Sequence, residues 1–114
     1  MKNHDMRLDE EYFDMVSIGI KDIEYRLIDE KRRQIQPGDT ITFYKLPQEK
    51  ESIKVLVTDL KYYRTLLEMY SAPFEKDFID MYASPQAVVD DTPYYTNEEV
   101  EKYGCVAIYF KKFG

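Results

Sequence analysis

The run Cys105 to Phe110 leaves a folding chain few options. Val106, Ile108 and Phe110 alternate with Cys105, Ala107 and Tyr109. Side chains of a strand point to opposite faces in turn, so a strand built on this run has both faces largely buried. Other strand candidates precede it. Met6 to Leu8 form a short first strand. Ile23, Tyr25 and Leu27 alternate with Glu24 and Arg26. From Thr40 to Leu46, Ile41 and Phe43 oppose Thr42 and Tyr44, and Ile53, Val55 and Val57 alternate with Lys54, Leu56 and Thr58.

Helical signals fill the gaps between these strands. Asp9 caps a helix whose acidic first turn, Glu10 and Glu11, suits the dipole, and Tyr12, Phe13, Met15 and Val16 supply its apolar stripe. Gly19 tolerates the left-handed backbone common just past a helix end. Asp29 to Ile35 reads as a short helix with Asp29 as N-cap. Thr65-Leu66-Leu67-Glu68 and Thr96-Asn97-Glu98-Glu99 fit capping boxes, and Ser84-Pro85 is a further helix start. The last of these helices should stop at Gly104. Gln36-Pro37-Gly38-Asp39 is a turn, and Pro47 to Ser52 a polar hairpin loop. Strands at both ends with helices between them predict an α+β fold around a barrel-like sheet. At 114 residues, without repeat or linker, residues 1–114 are expected to form a single domain.

Sixteen Lys and Arg against 22 Asp and Glu give a formal net charge of -6. The whole molecule repels a polyanion, so long duplex DNA is not an expected partner. Charge distribution matters more than its sum, and Lys31-Arg32-Arg33 is the densest basic cluster. Those three residues could equally be the solvated, dipole-compensating end of a helix. Cys105 and His4 are the sole cysteine and histidine. An intrachain disulfide is impossible, and a zinc site of the usual nitrogen and sulfur ligands cannot be assembled. No metal or cofactor is expected. Cys105 reads as a small buried hydrophobe, and His4 as part of a loose N-terminal arm. No apolar leader and no stretch of membrane-spanning length occurs, so a cytoplasmic protein is the expectation.

The stretch from Gly19 to Arg26 carries the functional signal. A glycine ends a helix, Lys21 stands at the entrance of a strand, and Glu24 and Arg26 share one face of it. The spacing Gly19, Lys21, Glu24, Arg26 matches the G-x-K-x-x-E-x-R motif of the ASCH domain family, within the PUA-like superfamily. Asp29 to Arg33, Pro37-Gly38-Asp39, Tyr94-Tyr95 and Glu99 to Gly104 resemble the flanks of its small bacterial branch, so the resemblance spans nearly the whole chain. It implies a mostly antiparallel β pseudo-barrel with flanking helices and a cleft lined by the motif residues. It also implies binding of RNA or a small nucleoside or nucleotide. Similar proteins hydrolyse the amide of N4-acetylcytidine with the motif lysine, a threonine and a distal glutamate, and some members are ribonucleases. This sequence has Glu24 where those amidohydrolases have threonine, and Glu68 is the nearest candidate for the distal carboxylate.

The chemistry of the side chains fits either reading. Lys21 and Arg26 suit phosphate or carbonyl oxygen, the arginine bidentately, and Glu24 can accept from an exocyclic amine such as cytosine N4. Arg32 adds charge beside them. Tyrosine is abundant at 11 residues, and the doublets Tyr62-Tyr63 and Tyr94-Tyr95 offer rings for base stacking. Tyr95 is the favoured ring. As an enzyme the chain would use Lys21 and Glu24 as catalytic groups. A module that binds protein and no nucleic acid is the remaining alternative.

Overall fold

A computed structural model of the chain describes residues 1–113. Five strands, β1 (Asn3–Leu8), β2 (Ile23–Leu27), β3 (Thr40–Lys45), β4 (Ser52–Tyr63) and β5 (Cys105–Lys112), share one sheet in the order β1-β3-β4-β5-β2. Five helices among the described residues complete it: α1 (Glu10–Ser17), α2 (Leu66–Ser71), α3 (Phe74–Asp77), α4 (Pro85–Asp90) and α5 (Asn97–Tyr103). The fold is mixed α+β, one five-stranded sheet with five helices, consistent with a PUA-like pseudo-barrel. β1 lies parallel to β3, and β3 antiparallel to β4 with Phe43 opposite Ile53. Cys105, Val106, Ala107 and Ile108 are all buried, as a strand apolar on both faces requires.

The described residues group into two compact bodies. The first comprises residues 1–24, 34–60 and 108–113. Its core sets Met6, Phe13, Val16, Ile41, Phe43 and Phe110 out of water, and the rings of Phe43 and Phe110 meet at 5.4 Å. Lys45, the last residue of β3, clamps α1 to the end of that strand. Its ammonium lies 3.0 Å from Asp14, 3.2 Å from Glu51 and 3.6 Å from Glu10, which raises its pKa through the bonds to Asp14 and Glu51. Asp9 occupies the N-cap position of α1 without a side-chain cap bond. Gly19 follows the helix at φ +85°.

His4 corrects an expectation. It does not sit in a loose arm: β1 begins at Asn3, and His4, Met6 and Leu8 all face the interior. The period of two over those three residues, with His4 at the first inward position, is what sets the strand. The ring Nε2 lies 2.9 Å from Asp39 Oδ2. Asp39 also accepts from the backbone N–H groups of Lys2 and Gln36. Burial alone would raise the Asp39 pKa, but the bonds from His4, Lys2 and Gln36 hold it below the usual carboxylate value.

The second body comprises residues 25–33 and 61–107. Tyr25, Tyr70, Phe78 and Tyr82 form a chain of ring contacts at 5.3 to 6.1 Å, and the Tyr25 hydroxyl donates to Asp77 at 2.7 Å. The helices begin where the capping chemistry placed them. Thr65, Ser84 and Thr96 each accept from a backbone N–H three residues on, and at Thr96 the reciprocal bond from Glu99 is also made. The expected helix over 29–35 shrinks to a single 3-10 turn, Arg32–Gln34. Asp29 does cap it, accepting from the Arg32 N–H at 2.9 Å. Pro37 disfavours helical backbone at Gln36, so the turn cannot propagate. No described helix is long and apolar enough to cross a membrane.

Candidate functional site

A strand end and a helix face make the two walls of a cavity in the second body. Arg26 and Leu27, the last residues of β2, continue into Asp29 and the Arg32 turn. Opposite them stand Tyr95, Glu99 and Tyr103, the latter two one helical turn apart on α5. The cavity is half open to solvent and has a volume of about 250 Å3. One backbone bond ties the walls together: the Ile28 N–H donates to the Gly104 carbonyl at 3.0 Å. Gly104 makes that possible by adopting φ +73° and ψ 179°, a backbone region essentially restricted to glycine.

Arg32 is the most constrained side chain of the site. Its Nη1 donates to Asp29 Oδ2 at 3.0 Å, while Asp29 Oδ1 takes the Arg32 backbone N–H. The arginine side chain is 16% exposed, and its Nε is buried with no hydrogen-bond partner. A buried donor left unsatisfied costs about 1–3 kcal/mol, more for a charged group. Glu99 is already spoken for by the cap of α5, accepting from the Thr96 N–H and hydroxyl, each at 3.1 Å. Tyr95 stands edge-on to the exposed ring of Tyr94, with centroids 4.7 Å apart.

Lys21 and Glu24 belong to the first body. The Lys21 ammonium lies 3.2 Å from Glu24 Oε1 and donates to the Ile23 carbonyl. Their side chains are only 10% and 8% exposed. The ring of Tyr12 lies 5.9 Å from the ammonium. The carboxylate beside the motif lysine is thus its ion-pair partner. The turn at Gly19 positions this pair, since the N–H groups of Ile20 and Lys21 both donate to the Met15 carbonyl at the end of α1.

Of the residues singled out by sequence, Arg26, Arg32 and Tyr95 converge on the cavity, and Lys21 and Glu24 pair with each other. Glu68 lies in the first turn of α2 and is not a lining residue. Asp29, Glu99 and Tyr103 were missed as lining residues because capping roles already accounted for the first two. The spacing of Glu99 and Tyr103, four residues apart on one helix face, was the available signal. Cys105 is inert in this setting: burial pushes its thiol up to about 11, with the Glu68 carboxylate adding to the shift. No group of three or more His, Cys, Asp or Glu suited to a metal ion occurs among the described residues.

Comparison with known proteins identifies the lineage. The ASCH domain model matches residues 6–114. The chain is similar to hypothetical protein PH0355, known from a crystal structure, at 37% identity over 99% of this chain and 100% of that one, with a TM-score of 0.80. It is also similar to protein PF0455 from Pyrococcus furiosus, at 33% identity over 97% of both chains and a TM-score of 0.72. ZmASCH from Zymomonas mobilis shares the fold alone, at 10% identity and a TM-score of 0.59 over 96% of this chain and 68% of that one. No curated protein matches the chain. With a family model covering nearly its whole length, the chain belongs to the ASCH domain family.

Proposed function

We propose that the chain, as one domain, binds RNA or a small nucleoside or nucleotide ligand through the cavity lined by Arg26, Arg32 and Tyr95. The observation that carries this reading is the meeting of two guanidiniums and two phenol rings around one half-open cavity. Guanidinium groups recognise phosphate and carbonyl oxygens through paired donors, and aromatic faces stack bases whatever their identity. Membership of the ASCH family supports the same ligand class.

Titration with short single-stranded RNA at low and moderate salt tests it. Weak binding with a shallow salt dependence is expected, lost in Arg26→Ala and weakened by about 1–3 kcal/mol in Tyr95→Ala. Binding indifferent to Arg26, Arg32 and Tyr95 would overturn the proposal. Cleavage of the RNA during the titration would favour the ribonuclease form of it.

One observation favours a second reading, amide hydrolysis on an N4-acylated cytidine. An ion pair as buried as Lys21 and Glu24 is weak evidence for stability alone. In such a reaction Lys21 would be the nucleophile or base and Glu24, 3.2 Å from it, the acid/base group. Incubation with N4-acetylcytidine should then release cytidine and acetate. No release, or release that survives Lys21→Met, would dismiss the enzyme.

A further inference from the structure

We infer that the cavity is built for a single phosphate, so that its ligand is a mononucleotide and not a strand of RNA. The inference rests on the binding reading above and narrows it. The lining charges balance: Arg26 and Arg32 face Asp29 and Glu99. Retention of a polyanion depends on many phosphates being neutralised, and this lining offers no surplus cation for a second one. The net charge of -6 works in the same direction.

The hydrogen-bond inventory then says where the one phosphate goes. Asp29 consumes Nη1 of Arg32 and fixes the guanidinium in the lining, and the Nε beside it has no partner but is closed to solvent, so a ligand oxygen reaches it only with a small shift of the side chain. A phosphate oxygen is the acceptor that a charged N–H of this kind takes best. Glu99 is engaged by the cap of α5, which favours keeping its carboxylate in the lining, where it repels a second phosphate. A space of about 250 Å3 is below the roughly 300–1,000 Å3 of sites for drug-sized ligands, which suits one nucleotide with its ring against Tyr95 or Tyr103.

The test compares ligands on the intact wild-type protein by calorimetry. The probes are cytidine and adenosine, their 5′-monophosphates, cytidine 5′-triphosphate, and a short oligocytidylate. The monophosphate of at least one nucleoside should bind roughly tenfold or more tighter than its parent, as a charged hydrogen bond provides. The triphosphate should gain nothing over the monophosphate, and the oligonucleotide nothing per site. The monophosphate, which lacks the condensed counterions of a strand, should show only a shallow salt dependence. Arg32→Lys, which keeps the charge but loses the fork, should weaken the monophosphate by more than it weakens the nucleoside and so shrink the preference for phosphate. Equal binding of nucleoside and monophosphate overturns the inference. So does an oligonucleotide that binds much tighter than the monophosphate with a steep salt slope, although nucleic-acid binding then stands. Failure of every probe to bind removes both.

Discussion

Lys21 and Glu24 spend most of their surface in forming one ion pair, and that fixes what mutation will do. Removing either partner strands a charge at a site where both side chains are nearly out of water. Lys21→Met is therefore expected to lower unfolding stability by about 3–5 kcal/mol, whereas Lys21→Met with Glu24→Met should be close to neutral. Urea titration of the single and double variants checks this, and a cycle with no coupling would contradict the pairing. The identity of these residues was legible from the spacing of the motif. Their pairing was not, because alternation along β2 says which face a side chain shares but not whether its neighbour answers it. His4 shows the opposite failure. Its polarity hid a period of two that places it on the inner face with Met6 and Leu8.

Elements were read most accurately where short-range chemistry decides them. The starts at Thr65, Ser84 and Thr96, and the stop at Gly104, depend on bonds within four residues, which sequence displays directly. α3 was missed because it is four residues long and follows Pro73 without a side-chain cap. The basic turn was overextended because the proline two residues beyond Ile35 limits it more than the charges favour it. Gly104 joins α5 to β5 and supplies the carbonyl that takes the Ile28 N–H. A Cβ there meets Ile28 and the Tyr63 carbonyl only at 3.5 Å, an ordinary contact, so the obstacle is the backbone angle. Gly104→Ala is expected to cost about 1–3 kcal/mol in thermal or denaturant unfolding and to weaken ligand binding as the bond to Ile28 shifts. An alanine variant of wild-type stability would show that this angle is not needed.

For the whole molecule, the α+β class was legible, and the strand order β1-β3-β4-β5-β2 was not. Order depends on pairings between segments far apart in sequence, such as Asn3 with Thr40, which no local pattern encodes. One such pairing governs the response to acid. The Asp39 carboxyl titrates below its ordinary 3.8 in the folded state. The ionised form is thus favoured by folding: its contribution is present above 3.8 and disappears as pH falls through the lower folded value. Wild-type unfolding free energy should drop across that interval, and Asp39→Asn should flatten that part of the profile. An unchanged slope in the variant would assign acid sensitivity to other carboxylates.

The double grip of Asp29 on Arg32 also bears on how such a pocket can change over generations. Asp29 is open enough to water to tolerate the loss of Arg32, whereas Arg32 without Asp29 loses the two bonds that hold it, so drift in ligand preference is easier when both positions change together. New specificity should arise more readily through paired replacement, and libraries that randomise both codons together will reach variants that stepwise selection seldom samples.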